Sequence, residues 1–259
     1  MTMPQHTLLI DAGNSRVKWT LGHIGHVSIE AQGVVALGDW GALREQWNHV
    51  HEIHQVWLCN VAGASSEAQL LQLAQEKFPH AAWRVARAQS EQCGVTNPYV
   101  PPAKLGTDRW AMLVAARHLY PRQHVLIVSS GTATTIDALN GQGRFIGGVI
   151  LPGLQLMHRA LAHSTADLPE LSESHQASGF APSFALNTRD AIASGCLHAH
   201  IGALERMYQT LQQSSEGQGI QLILTGGAAS QLTGALQYPV HLHNNLVLTG
   251  LNVIAQAGR

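Results

Sequence analysis

A chain of 259 residues with a formal net charge of −1 can fold as one large domain or as two of about 120 to 130 residues, each able to bury its own core. Only 12% of its residues are charged against 45% hydrophobic, and three lysines make no basic stripe for a nucleic-acid backbone, while so little charge points to surface covered by a second copy. No apolar run approaches the roughly 20 residues of a membrane span, no targeting segment is evident, and Cys59, Cys93 and Cys196 form no Cys-x-x-Cys pair. These features predict a cytoplasmic protein with reduced thiols and neither nucleic acid nor membrane as a partner.

In chain order, residues 7–11 read as a buried strand entering a turn at Gly13, and residues 17–22 as the returning strand of a hairpin. Val34 and Val35 suggest a third strand, residues 40–49 carry helical spacing, and residues 55–60 form another apolar strand. Residues 65–78 read as a helix capped by Ser65 or Ser66, with Leu70, Leu71, Leu73, Ala74 and Phe78 on its apolar face. A proline-rich turn at 97–102 precedes a helix over 107–119 with Trp110, Leu113, Val114 and Ala116 at apolar spacing. The order then restarts: a strand at 125–128, a small-residue turn at 131–135, a return strand at 135–139 and another strand at 145–151. Helices over 153–163 and 189–211 flank a loop at 166–182, and a strand at 221–225 runs into Gly226 and Gly227. Two halves that open alike predict an α/β fold of two lobes, 1–115 and 116–259.

The 16 histidines include no His-Glu-x-x-His, so they read as surface or packing residues rather than a metal centre. None of the lysines follows a glycine, which excludes a P-loop, and the absence of Gly-x-Gly-x-x-Gly argues against a dinucleotide site. Instead, Asp11-Ala12-Gly13-Asn14-Ser15-Arg16-Val17-Lys18 occupies a strand-turn-strand corner. There Asp11 can orient Mg²⁺ or its waters, Gly13 lets the backbone approach a ligand, and Asn14, Ser15 and Lys18 can meet phosphate oxygens. Such a corner is also an ordinary hairpin turn. Its weight rises with a second hydroxyl-rich corner, Ser130-Gly131-Thr132-Ala133-Thr134-Thr135, and with Leu224-Thr225-Gly226-Gly227-Ala228-Ala229, which suits the adenosine of ATP. Asp108 is a candidate base, and Arg109 beside it can grip an anionic substrate; an ion pair at a helix start is the structural alternative.

Together with Asn97-Pro98-Tyr99, Gly106-Thr107-Asp108-Arg109 and Gly147-Gly148-Val149-Ile150-Leu151-Pro152-Gly153, these motifs resemble the type III pantothenate kinases of the actin, hexokinase and Hsp70 superfamily over roughly residues 8 to 250. The resemblance implies two actin-like, ribonuclease H-like lobes with a nucleotide cleft between them. It also implies ATP-dependent phosphorylation of pantothenate to 4′-phosphopantothenate. It places Asp11 to Lys18 and Thr132 on ATP, Asp108 as the base, and Tyr99, Gly106, Thr107, Asp108 and Arg109 on pantothenate, whose pocket Thr188 completes from the second subunit of a homodimer. The family's monovalent-cation aspartate, two residues before the second glycine loop, is Ser129 here, so the use of K⁺ or NH₄⁺ is in question. Another small-molecule kinase or a phosphatase of the superfamily, or a nucleotide-binding accessory protein, stays open as an alternative.

Overall fold

The structure, a computed structural model, describes residues 6–23, 26–164, 169, 171, 182–215 and 217–258, the side chains of 23 and 26–30 excepted. It shows two five-stranded sheets with one connectivity. In the first, β1 (His6–Ala12) lies between β2 (Arg16–His23) and β4 (Ile53–Asn60), in the order β3-β2-β1-β4-β5 with β3 (His26–Ala36) and β5 (Ala82–Val85) at the edges. The β1–β2 and β2–β3 pairs are antiparallel, whereas β1–β4 and β4–β5 are parallel. The three-residue turn at 13–15 suffices to join β1 to β2, and the parallel steps need the helical crossovers α1 (Trp40–Gln46) and α2 (Ala64–Lys77).

One face of this sheet carries Leu8, Ile10, Val17, Trp19 and Leu58, which bury against Leu43, Trp47, Leu70 and Phe78. Burying each large side chain contributes about 1.5–3 kcal/mol. Helix α1 starts at Asp39, whose carboxylate accepts from Ala42 N at 3.0 Å. Helix α2 differs from its sequence reading. Its cap is Gly63, at φ +93°, and Ser66 instead turns its hydroxyl back to Ala62 O.

The opposite face is covered by α3 (Thr107–Leu119) and α7 (Leu246–Ala257), which pack on β1, β4 and each other. Their approach is close: a Cβ at Gly250 would sit 1.8 Å from Ala111 O, so only glycine fits there. Between β5 and α3, β6 (Glu91–Gln92) and β7 (Val95–Thr96) make a small hairpin, held to α3 by Trp110 Nε1 donating to Gln92 Oε1 at 3.0 Å.

The second sheet repeats the order as β10-β9-β8-β11-β12, from β8 (His124–Ser130), β9 (Ala133–Leu139), β10 (Phe145–Pro152), β11 (Ile220–Thr225) and β12 (Val240–Leu242). Again the first three strands are antiparallel and the last two join in parallel. Helices α4 (Leu154–Ser164), α5 (Thr188–Ser214) and α6 (Ala229–Thr233) share a core with Leu126, Val128, Ile136, Leu222 and Leu224.

The two compact units are Met1–Leu119 with Leu246–Arg259, and Tyr120–Asn245. The expected lobes of 1–115 and 116–259 are corrected on two points. A boundary at 115 would cut α3, and α7, unforeseen in the sequence, returns to the first unit because its apolar surface is what covers α3. The loop expected over 166–182 lies outside the described residues, save at Pro169, Leu171 and Pro182.

Candidate active site

In the first unit the corner between β1 and β2 closes through Gly13 N donating to Arg16 O at 3.0 Å. Ala12 and Val17, expected on ATP, are fully buried core residues, so of the eight motif residues these two anchor the corner in the core rather than face a ligand. Asn14, Ser15 and Arg16 are exposed at the tip. Antiparallel register sets Lys18 directly opposite Asp11, and parallel register sets Cys59 beside it. Burial pushes the Asp11 carboxyl up to about 7; the Lys18 ammonium opposes that shift and the Asp108 carboxylate adds to it.

Asp108 stands in the first turn of α3. Its Oδ1 accepts from Arg109 N at 2.8 Å, and a Cβ at Gly106 would come within 2.7 Å of that oxygen, so the glycine makes room for the carboxylate. Burial raises the Asp108 pKa against the backbone hydrogen bond and the Arg109 charge. The Cys59 thiol is pushed well up by burial and by both carboxylates. Asp11, Lys18, Cys59 and Asp108 thus form one electrostatic cluster. Cys59 was not expected in it, since only the β1–β4 register brings it there.

Arg109 is 94% buried by its 6% exposure, and its Nη1 makes a long contact, 3.5 Å, to the Tyr99 hydroxyl. Asn97, also buried, shapes the loop carrying Tyr99: its Oδ1 accepts from Tyr99 N at 3.1 Å and its Nδ2 donates to Pro102 O at 3.1 Å. Thr107 is buried as the first residue of α3. The arrangement presents a half-buried carboxylate, a fixed guanidinium and a phenol within one segment, which suits an anionic substrate bearing a hydroxyl.

In the second unit three glycine motifs, distant in sequence, converge on the β8–β9 turn. Gly131 N donates to Ala133 O and Gly153 N to Thr132 O, both at 3.0 Å. A Cβ at Gly153 would lie 2.1 Å from Gly131 O, and one at Gly226, where φ is +94°, would lie 2.3 Å from Ser130 O. Ala228 N also donates to Ser130 O at 3.1 Å. Gly131, Thr132 and Ala133 remain exposed on this pinned base, as a phosphate-binding turn requires.

Ser129, half-buried at the end of β8, is flanked in register by Thr135 and Thr225, a row of neutral hydroxyls. Thr188 is the exposed first residue of α5; the cap itself is Asn187, whose side chain accepts from Asp190 N at 3.0 Å. Among the described residues no group of three or more His, Cys, Asp or Glu could hold a metal, and no helix is long and apolar enough to cross a membrane.

The profile of the type III pantothenate kinase family matches residues 7–210. The type III pantothenate kinase of Burkholderia ambifaria is 41% identical over 256 residues, covering 97% of each chain. Among solved structures, Porphyromonas gingivalis acetate kinase superposes with a TM-score of 0.55 at 12% identity, covering 98% of this chain and 100% of that one. The activator of 2-hydroxyisocaproyl-CoA dehydratase from Clostridium difficile, solved with ADPNP, gives 0.52 at 12% identity over 97% and 94%. These structural likenesses establish the fold alone.

Proposed function

The chain belongs to the type III pantothenate kinase family, and from that premise we propose how its own residues carry the phosphorylation of pantothenate by ATP. Asp108 accepts the proton of the pantothenate hydroxyl as phosphoryl transfer proceeds; burial raises its basicity toward the working pH. Arg109 holds the pantothenate carboxylate and Tyr99 lines the same segment, with Gly106 and Thr107 fixing where α3 begins. In the first unit the exposed Asn14, Ser15 and Arg16, with Lys18, receive phosphate; in the second unit the exposed Thr132 turn does so. The observation that carries this reading is the cluster of Asp11, Lys18 and Asp108, with both carboxyls raised.

Asp11 fits Mg²⁺ in kind, being a half-buried carboxylate whose charge is only partly offset by Lys18, and it would hold the ion through water. When bound, Mg²⁺ would neutralise phosphate charge. Ser129 supplies a neutral hydroxyl where the family usually has a carboxylate, a poor fit to a charged cation site, and no step is assigned to K⁺ or NH₄⁺. A homodimer is supported by exposed apolar side chains on β10 and α4, Ile146, Ile150 and Leu156, and by Phe184 and Leu186 at 92% and 100% exposure just before Thr188. In that dimer the partner subunit's Thr188 completes the pantothenate pocket, and the setting is cytoplasmic.

The test is ADP release with and without pantothenate, repeated with and without K⁺, on the wild type and Asp108→Asn. Pantothenate-dependent release indifferent to K⁺ is expected, with turnover reduced about 10³-fold in the variant, within the range of general base catalysis, and an unchanged melting curve. Full turnover in Asp108→Asn refutes the base assignment; no pantothenate-dependent release refutes the reaction.

A further inference from the structure

Behind the Thr132 turn lies a buried polar chain on the core face of β8 and β9, with the buried His158 of α4 near enough to His200 to interact with it electrostatically. Ser130 and Thr134 are cross-strand partners on β8 and β9, and their hydroxyl oxygens lie 3.3 Å apart. Thr134 Oγ1 is 3.1 Å from Nε2 of His200 on α5, and His200 Nδ1 is 2.9 Å from the carbonyl oxygen of Cys196, one turn back. Ser130, Thr134 and His200 are exposed by no more than 2%. The surrounding core side chains are Leu126, Val128, Ile136 and Leu197.

The direction of the chain follows from its end. A carbonyl oxygen only accepts, so His200 Nδ1 carries the hydrogen, and in the neutral ring Nε2 is an acceptor. Thr134 therefore donates to His200 and accepts from Ser130. Every polar atom in the line has a partner, and the line terminates at the residue that opens the glycine turn. The main chain of Ser130 is fixed independently, by Ala228 N and by the close approach of Gly226.

We infer that His200 is a positioning residue for the second phosphate-binding turn, acting through Thr134 on the rotamer and depth of Ser130. This rests on the reading that the Thr132 turn receives phosphate. Three buried polar groups cost desolvation that an aliphatic trio of similar size would avoid. What they provide is a single orientation for the strand end from which Gly131 and Thr132 project. With Gly153 bracing the far side of the turn, the Ser130 side is braced from main chain and side chain alike.

The test uses substitutions that separate hydrogen bonding from packing. Thr134→Val keeps the shape and removes the hydroxyl. His200→Gln places an amide where Nε2 stands, whereas His200→Asn replaces only Nδ1 and keeps the bond to Cys196 O. Steady-state ADP release on the full-length enzyme is expected to show the ATP KM raised about tenfold in Thr134→Val and His200→Asn, as for one lost buried hydrogen bond. The pantothenate KM should stay within about twofold, and Thr134→Ser and His200→Gln should return both values toward wild type. The double variant Thr134→Val/His200→Asn should be no worse than either single one. An unchanged ATP KM with only a lowered melting temperature, or equal effects of Gln and Asn, overturns the inference. Thr132→Glu, at an exposed position, separates the two readings. If it leaves the ATP KM unchanged, the turn assignment falls and His200 with it; if it raises KM while Thr134→Val and His200→Asn do not, only the inference about His200 falls.

Discussion

Gly153→Ala is the smallest change that should displace the turn proposed to bind phosphate without touching its residues. The added methyl would stand 2.1 Å from Gly131 O and 2.7 Å from Thr132 O, both backbone atoms. An unstrained carbon–oxygen contact is about 3.3–3.6 Å, so the turn must retreat by roughly 1 Å. A misplacement of that size costs about 10²-fold in rate, or about 2.7 kcal/mol of transition-state stabilisation. The damage should be kinetic more than structural, because residues 131–133 are exposed and can shift without opening the core. The assay is initial-rate ADP release across ATP concentrations, with Gly195→Ala as control, since nothing lies within 4 Å of a Cβ there. A kcat/KM for ATP within threefold of wild type in Gly153→Ala would show that the turn does not need this brace.

The raised Asp11 pKa has a definite sign. The folded state holds this proton up to about pH 7, the unfolded state only to its ordinary 3.8, so stability is greatest below the lower value and falls as pH rises between them. Urea melts of the nucleotide-free protein should lose about 2–3 kcal/mol more from pH 5 to pH 8 than those of Asp11→Asn; parallel losses would contradict the shift. Gly250→Ala should destabilise the first unit by about 2 kcal/mol or more, because a Cβ meets Ala111 O at 1.8 Å, and an unaltered denaturation midpoint would refute the close packing of α7 on α3. Ile150→Glu, on a side chain 63% exposed, should leave the fold intact and halve the mass seen by light scattering; an unchanged mass rejects this face as the dimer contact.

Local chemistry announces the parts of the fold that depend on neighbours in sequence. The strand-turn-strand corners at Gly13 and Gly131 carry their own glycines and hydroxyls, and α3 has both its periodicity and its acidic first turn. Helix α7 was not legible because Leu246, Leu248, Leu251 and Ile254 are interspersed with apolar Val247 and Val253 and with Gly250, so no polar face marks a period. The short β5 and β12 and the five-residue α6 lie below the length at which pattern speaks. The cap of α2 was misplaced for another reason: Gly63 caps with its backbone conformation, which leaves no side-chain signal.

The site divides in the same way. Asp11, Asp108 and Thr132 sit in compact motifs, but Cys59 joins the cluster only through strand register and His200 reaches Thr134 across 66 positions. Asn97 was visible as a letter of a motif, without a role; its buried amide proves to tie Tyr99 to Pro102.

The return of α7 to the first unit makes that unit discontinuous, with residues 120–245 inserted between its parts. On a ribosome the inner surface of α3, apolar from Trp110 to Ala116, is made before the inserted unit and its cover only after it. At about 5–20 residues per second, roughly 6–25 s of synthesis separate the two. By the end of that interval the inserted unit holds all the sequence of its own sheet and can mature by itself, whereas the first still exposes a hydrophobic groove that invites chaperones or a neighbouring nascent chain. Loss of α7 would therefore damage the distant half of the sequence, the one bearing Asp11 and Asp108.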